Sequence, residues 1–278
     1  MTVPSQPLFL YGPGYSATVL AQIWLGPVAG TYRSETARAA LADLSIDAIA
    51  IDDAKGLSAA LENAHLVISA PPGDAGCPAF AALGDQAARA ASVTYLSTTG
   101  VYGDLRGGWA MEWTPANPQS ARALRRLKAE QAWTAASTRT RIVRLPGIYG
   151  PGRSMFDRLR RGDARRIIKP GQVFSRIHVD DLAAGLKALL NSDAFGVFNL
   201  CDDVAAPPQD VVTYAADLLG LAPPPEIAYE TADLSPMARS FYGECKRVSN
   251  ARLKAATGWR PRYPSYRQGL GAILADNR

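Results

Sequence analysis

Six residues near the N-terminus, Gly12-Pro13-Gly14-Tyr15-Ser16-Ala17, carry the pattern Gly-x-Gly-x-x-Ala directly after the apolar run Leu8–Tyr11. The chemistry open to such a loop is the cradling of a pyrophosphate. The first glycine permits a tight turn, the second lets phosphates approach the backbone, and a small third residue allows close helix–strand packing. The start of the helix adds unpaired N–H groups and a partial positive charge. A dinucleotide is the expected ligand. The second strand then ends Thr31-Tyr32-Arg33-Ser34, at the place where an acid would hold the ribose 2′-hydroxyl of NAD. Arg33 and Ser34 suit a 2′-phosphate instead, so NADP is expected ahead of NAD; Glu35, one step on, keeps NAD open. Ile68-Ser-Ala-Pro-Pro-Gly73 closes another strand with small residues, and Ala70, Pro71 and Pro72 are expected to let the cofactor backbone pass.

Positioning these residues takes a parallel sheet wrapped by helices, and the first half of the chain alternates accordingly. Strands are expected at Leu8–Tyr11, Val28–Tyr32, Ala48–Ile51, Leu66–Ala70, Val93–Ser97, Arg141–Leu145 and Val197–Leu200. Helices are expected over Ala17–Leu25, from a Ser34 cap to Leu44, and over Pro78–Ala91 and Ser120–Ala136. Further on come Leu182–Leu190 capped by Asp180 or Asp181, then Pro208–Leu219, Asn250–Thr257 and Tyr266–Ala275. Residues 229–245 lack periodicity and read as a mobile lid. With no linker or repeat, 1–278 reads as a single α/β domain of Rossmann type. Its doubly wound parallel sheet carries a small C-terminal substrate-binding lobe, built mainly from 146–180 and 201–278.

Several motifs resemble, in order, those of the extended short-chain dehydrogenase/reductases, the NAD-dependent epimerase/dehydratase family. They are Leu8–Ala17, Ser97-Thr-Thr-Gly-Val-Tyr-Gly103, Arg144-Leu-Pro-Gly-Ile-Tyr-Gly-Pro-Gly-Arg153, Ser175-Arg-Ile-His-Val-Asp-Asp-Leu-Ala183, Val197–Asp203 and Lys246–Leu253. The resemblance implies hydride transfer at a nicotinamide, with Thr98 holding the reacting oxygen. In that family a Tyr-x-x-x-Lys pair precedes a Glu by a fixed step. Glu130 anchors the alignment here, which puts Arg122 at the tyrosine position and Arg126 at the lysine position. Arg126 can still supply positive charge and hold ribose hydroxyls. Arg122 is no proton donor, because a guanidinium stays protonated. Tyr102, Tyr149 and Glu112 are the nearest replacement acid–base groups, and Tyr149 is carried forward with Thr98 and Arg126 as the catalytic set.

The same resemblance implies cofactor contacts from Ser97, Pro146, Gly147 and Ile148, and an acid near the adenine, Asp52 or its neighbour Asp53. It directs Thr99, Tyr102, Arg122, Arg176 and His178 towards the substrate, with Arg144 as a structural residue. Thr99 and Gly100 stand where the family's dehydratases have an acidic pair, so sugar dehydration of that type is not expected. The expected activity is that of an oxidoreductase or epimerase acting on a small polar substrate, a nucleotide sugar or another anionic metabolite. The alternative is a non-catalytic NADP-binding regulator or scaffold.

Composition bounds these readings. The 278 residues are 47% hydrophobic and 20% charged, as for an ordinary soluble globular chain. There is no long apolar run and no basic-then-apolar start, so neither a membrane span nor a signal peptide is expected. Cys77, Cys201 and Cys245 are odd in number and lack metal-ligand spacing, which points to a reducing cytoplasm and no bound metal. Of the net charge of +5, much gathers in Arg153, Arg158, Arg160, Arg161, Arg165, Arg166 and Lys169. A solvated basic face or a nearby anionic substrate accounts for it, and no nucleic-acid motif accompanies it. A monomer or homodimer is expected.

Overall fold

The structure is a computed structural model and describes residues 6–276. Seven parallel strands form the central sheet: β1 (Leu8–Tyr11), β2 (Val28–Tyr32), β3 (Asp47–Ala50), β4 (His65–Ile68), β5 (Ser92–Thr98), β6 (Thr140–Leu145) and β7 (Gly196–Asn199). Their spatial order is β3-β2-β1-β4-β5-β6-β7. The winding direction therefore reverses between β1 and β4, and ligands of such sheets bind beyond the strand ends at that reversal. Strands covered on both faces carry unbroken apolar runs, and β1 and β4 are buried at every residue.

The helices are α1 (Tyr15–Ile23), α2 (Glu35–Asp43), α3 (Ala54–Leu61), α4 (Pro78–Leu83), α5 (Ala121–Ala136), α6 (Met155–Arg161), α7 (Val179–Leu190), α8 (Pro208–Leu218), α9 (Pro236–Tyr242), α10 (Ala251–Thr257) and α11 (Tyr266–Asp276). Leu20, Leu186, Leu189 and Trp259 pack one sheet face against α1 and α7, while Leu57, Leu83 and Trp133 pack the other. The stretch expected as one helix over Pro78–Ala91 divides at Gly84 into α4 and a 3₁₀ segment, Gly84–Arg89.

The lobe has its own core. Tyr149, Phe156, Val211, Leu270 and Ile273 bring α6, α8 and α11 together. Its strands are short parallel pairs, Gly147–Tyr149 with Arg176–His178 and Arg166–Ile168 with Glu226–Ala228. Tyr149 lies so close to α11 that a Cβ on Gly269 would stand 2.7 Å from the Tyr149 Cζ and nearer still to its hydroxyl.

Residues 229–245 contain α9 and are fastened by the basic segment. Arg165 donates to the Asp233 carbonyl, Lys169 to that of Tyr242, and Gln172 to that of Glu244 at 2.7 Å. Residues 229–245 are thus fastened to this segment, while Arg153, Arg158, Arg160, Arg161 and Arg165 are exposed, as a solvated basic face would have them. Asp181 does not cap α7: its carboxylate accepts from the Arg262 and Tyr263 N–H groups at 2.7 and 2.8 Å. The cap is His178, whose Nδ1 accepts from the Asp180 N–H at 3.2 Å.

Candidate functional site

The edge formed by the C-terminal ends of the strands gathers much of the expected cofactor site. Gly12 turns off β1 at φ +68°, where an L side chain is strained, and a Cβ there would lie 2.6 Å from the Ala70 Cβ. Its N–H donates to the Thr31 hydroxyl at 2.8 Å, which joins the ends of β1 and β2. Ala70 in turn donates its N–H to the Tyr11 carbonyl at 3.2 Å, so the loop after β4 lies against the loop after β1. Gly14 caps α1 with no side-chain hydrogen bond, no acid follows in the first turn, and a Cβ on it would meet nothing within 4 Å. Ser16 and Ala17 are buried behind this open space. The loop geometry fits a pyrophosphate on the helix start.

Tyr15 faces the lobe. Its hydroxyl donates to the Pro151 carbonyl at 3.0 Å, and Arg153 lies over its ring at 5.7 Å from the centroid. Burial pushes the Tyr15 phenol up to about 12.

Past β2, Arg33 is exposed and, among the described residues, has no ion pair and no side-chain hydrogen bond. Glu35 is held by Arg38 at 2.7 Å, which leaves the Arg33 guanidinium unopposed by its nearest acid in sequence. Ser34 caps α2, accepting from the Ala37 N–H at 3.2 Å. Asp53 likewise caps α3 through the Gly56 N–H at 2.9 Å, whereas Asp52 is exposed. Pro71 is exposed and Pro72 half-buried, in a loop that Asp74 ties to Arg125 of α5 by an ion pair.

Thr98 ends β5 half-buried. Its Oγ1 accepts from the Gly100 N–H at 3.1 Å, so the hydroxyl still has its proton to donate. Arg126 donates to the Leu96 carbonyl at 2.6 Å and lies over the Tyr95 ring, which fixes its guanidinium against the end of β5. Arg122 is exposed and reaches α9, with its guanidinium 5.0 Å from the centroid of Phe241. Beyond β6, Pro146 and Ile148 are half-buried and Gly147 exposed, beside Arg176–His178.

Packing removes several expected contacts from the reacting centre. The Ser97 hydroxyl donates to Glu130, and Glu130 pairs with Arg144 at 2.7 Å, so Ser97 belongs to a buried network rather than to the cofactor surface. Tyr102 is fully buried under the Arg144 guanidinium and donates to Asn199 Oδ1 at 2.8 Å. Glu112 accepts from the Asn199 N–H at 3.0 Å. Tyr149 packs in the lobe core, its hydroxyl 3.5 Å from the Ser265 carbonyl, and burial pushes its phenol well above the usual range. None of the three is a poised acid–base group, because burial holds the phenols neutral and the carboxylate already serves a backbone amide. Thr99 is buried. His178 is buried too, and its ring is held between Tyr149 and Tyr263. With Nδ1 accepting, its proton sits on Nε2, which has no partner among the described residues; burial lowers its basicity.

Of the residues expected at the substrate, Arg176 is the one that lines a cavity, which lies in the lobe. It donates to the Phe174 and Ala206 carbonyls at 2.8 and 3.1 Å. Beside it lies a group that motif reading passed over, Asp202, only 2% exposed and, among the described residues, with no side-chain partner on either carboxylate oxygen. Burial raises its carboxyl to about 8, against the pull of Arg176. Its signal in the sequence is an acid directly after the last sheet strand, at the edge where ligands bind.

The whole chain superposes on a conserved protein of unknown function from Silicibacter pomeroyi, with a TM-score of 0.91 and 45% identity over 98% of this chain and 99% of that one. The family model for the NAD-dependent epimerase/dehydratase family matches residues 79–201. That match takes in under half of the chain, and over it the chain is similar to this family. A dTDP-glucose 4,6-dehydratase from Bacillus anthracis, solved with NAD, shares the epimerase/dehydratase fold at a TM-score of 0.77 but only 15% identity, over 98% of this chain and 96% of that one. A 3-diazoavenalumate denitrifying reductase from Streptomyces is 31% identical over 144 residues, which are 47% of this chain and 45% of that protein. The chain matches about half the length of the curated relatives. Among the described residues, no helix is long and apolar enough to cross a membrane.

Proposed function

We propose that the chain is an NADP-dependent oxidoreductase or epimerase-type enzyme acting on a small polar substrate. The observation that carries this reading is the meeting of Gly12, Ala70 and the uncapped start of α1 at one strand-end edge, with Arg33 exposed and unpaired nearby. A 2′-phosphate gives Arg33 a partner that a free ribose hydroxyl does not. A nicotinamide held there by Gly12, Gly14 and the start of α1 would supply hydride chemistry. Thr98 then donates its hydroxyl proton in a hydrogen bond to the reacting oxygen, and the N–H groups of Arg126 not given to Leu96 hold ribose hydroxyls. A carbonyl that has taken hydride still requires one proton. Since Tyr102, Tyr149 and Glu112 are engaged elsewhere, water or a group on the substrate delivers it. The Streptomyces relative is a reductase, which favours screening reductions first.

One contact favours a second reading, a non-catalytic NADP-binding regulator. Arg122, at the position aligned with the family's tyrosine, closes on Phe241 across the site. Calorimetric titration with NADPH and NADH, on the parent and on Arg33→Ala, tests both readings. NADPH binding that Arg33→Ala weakens by about tenfold or more, with NADH unaffected, is expected. Failure of the parent to bind either nucleotide would sink both. NADPH binding without turnover across a carbonyl panel leaves the regulator.

A further inference from the structure

We propose that the lobe cavity between α6, α8 and α11 binds the carboxylate of a small apolar-bodied acid, with Arg176 at its floor and Arg153 and Arg158 at its rim. The proposal extends the oxidoreductase reading by naming a substrate class, and it rests on that reading for the acid's role. The cavity measures about 170 Å³. That is comparable to the roughly 150 Å³ that admits a benzene molecule, and well below the space a drug-sized ligand or nucleotide sugar takes. Its walls are Tyr149, Met155, Val211, Tyr266 and Leu270, which suit a ring or a branched hydrocarbon.

The charge at the floor and rim is of one sign. Arg176 gives Nη1 to two carbonyls, and among the described residues no acid lies within ion-pair distance of it. Asp202 is the acid that acts most on it, and burial raises that carboxyl to about 8, which weakens its hold on the guanidinium charge. Among the described residues the Arg153 side chain has only the Tyr15 ring as a partner, and Arg158 is partly met by Asp163 at 3.6 Å. A planar carboxylate matches the guanidinium fork, and an apolar-walled site raises the worth of that contact. The placement is apt as well. Tyr149 closes the segment that begins at Gly147, where nicotinamide contact is expected, and Arg153 stacks on the first residue of α1.

The test is calorimetric titration of the full chain with benzoate, benzamide and inorganic phosphate, each without nucleotide. Parallel NADPH titrations are made on the same preparations. Arg158→Gln removes one rim charge from an exposed position, and Met155→Trp fills the cavity. Benzoate is expected to bind at least about tenfold tighter than benzamide or phosphate, to weaken several-fold in Arg158→Gln, and to be lost in Met155→Trp with NADPH affinity unchanged. No benzoate binding while NADPH still binds overturns the cavity assignment and leaves the cofactor reading intact. Benzoate affinity unchanged from the parent in both variants, or matched by benzamide or phosphate, also overturns it. Benzoate bound in this pattern by a protein that binds no NADPH supports the cavity site and removes only the oxidoreductase role.

Discussion

In the sheet, backbone groups find one another through parallel ladders seven strands wide, whereas the lobe is assembled from three-residue strand pairs and short helices. The arginines differ accordingly. Arg144 in the sheet half is sealed inside and answers a carboxylate, Glu130. In the lobe, Arg165, Lys169 and Arg239 donate to main-chain carbonyls of 229–245, and Arg176 adds to the Phe174 and Ala206 carbonyls, which already pair with each other's N–H groups. A buried carbonyl without a partner is costly, so irregular chain recruits side-chain donors. Arginine thus serves the sheet half by ionic pairing at Arg144 and by carbonyl contact at Arg141, which reaches Ala194 and Ser192, while the lobe's basic residues mostly serve carbonyls. At the nucleotide edge Arg33 does neither and stays available.

The largest test of this contrast is Arg144→Met. It leaves Glu130 and the Ser97 hydroxyl buried without their cation, and about 3–5 kcal/mol of global stability should be lost in urea denaturation. An effect below 1 kcal/mol would show that the network does not hold the sheet.

Next in size is an acid response from His65 of β4, whose ring is buried between Ser92, at 2.7 Å, and Trp24. Burial lowers its pKa to about 4 in the folded protein, from 6.5. Between those values the unfolded chain takes up a proton that the folded chain refuses. Its stabilising contribution is therefore present above about pH 6.5 and is lost as pH falls towards 4, to the extent of about 3 kcal/mol. Urea midpoints at pH 7 and pH 4.5 should converge for His65→Gln relative to the parent; equal slopes would remove His65 as the cause.

Gly12→Ala follows, since it forces an L residue to φ +68° against Ala70. About 1–2 kcal/mol of stability and at least about tenfold of NADPH affinity should go, read by thermal melts and calorimetry. Smallest is the pair Arg165→Ala and Lys169→Met. Global stability should change by less than about 1 kcal/mol, while cleavage by a protease of broad specificity within 226–244 speeds up. Global unfolding in step with that cleavage would erase the distinction between the two halves.

The sheet was legible from sequence because its strands are continuous apolar runs between glycine and proline breaks, and β1, β2, β5 and β6 fall within a residue or so of the expected bounds. The Gly12–Ala17 loop followed from its place after β1. The side-chain roles of Ser97, Tyr102 and Tyr149 were not legible, because each depends on a partner distant in the chain, Glu130, Asn199 and Gly269 respectively. Periodicity also says nothing about the fastening of 229–245, since its donors lie in a charge run that reads equally well as solvated surface. Asp202 escaped notice because an acid beside Asp203 at a strand end resembles a turn residue until its burial is known.

The contact between Tyr149 and Gly269 has a consequence for how this chain can change over generations. Any side chain at 269 would claim space that the phenol ring holds, so α11 would have to draw away from the lobe core. Substitutions at the two positions are consequently ordered in time: the ring at 149 must shrink before position 269 can gain a methyl group. Lineages that keep the tyrosine are bound to keep the glycine.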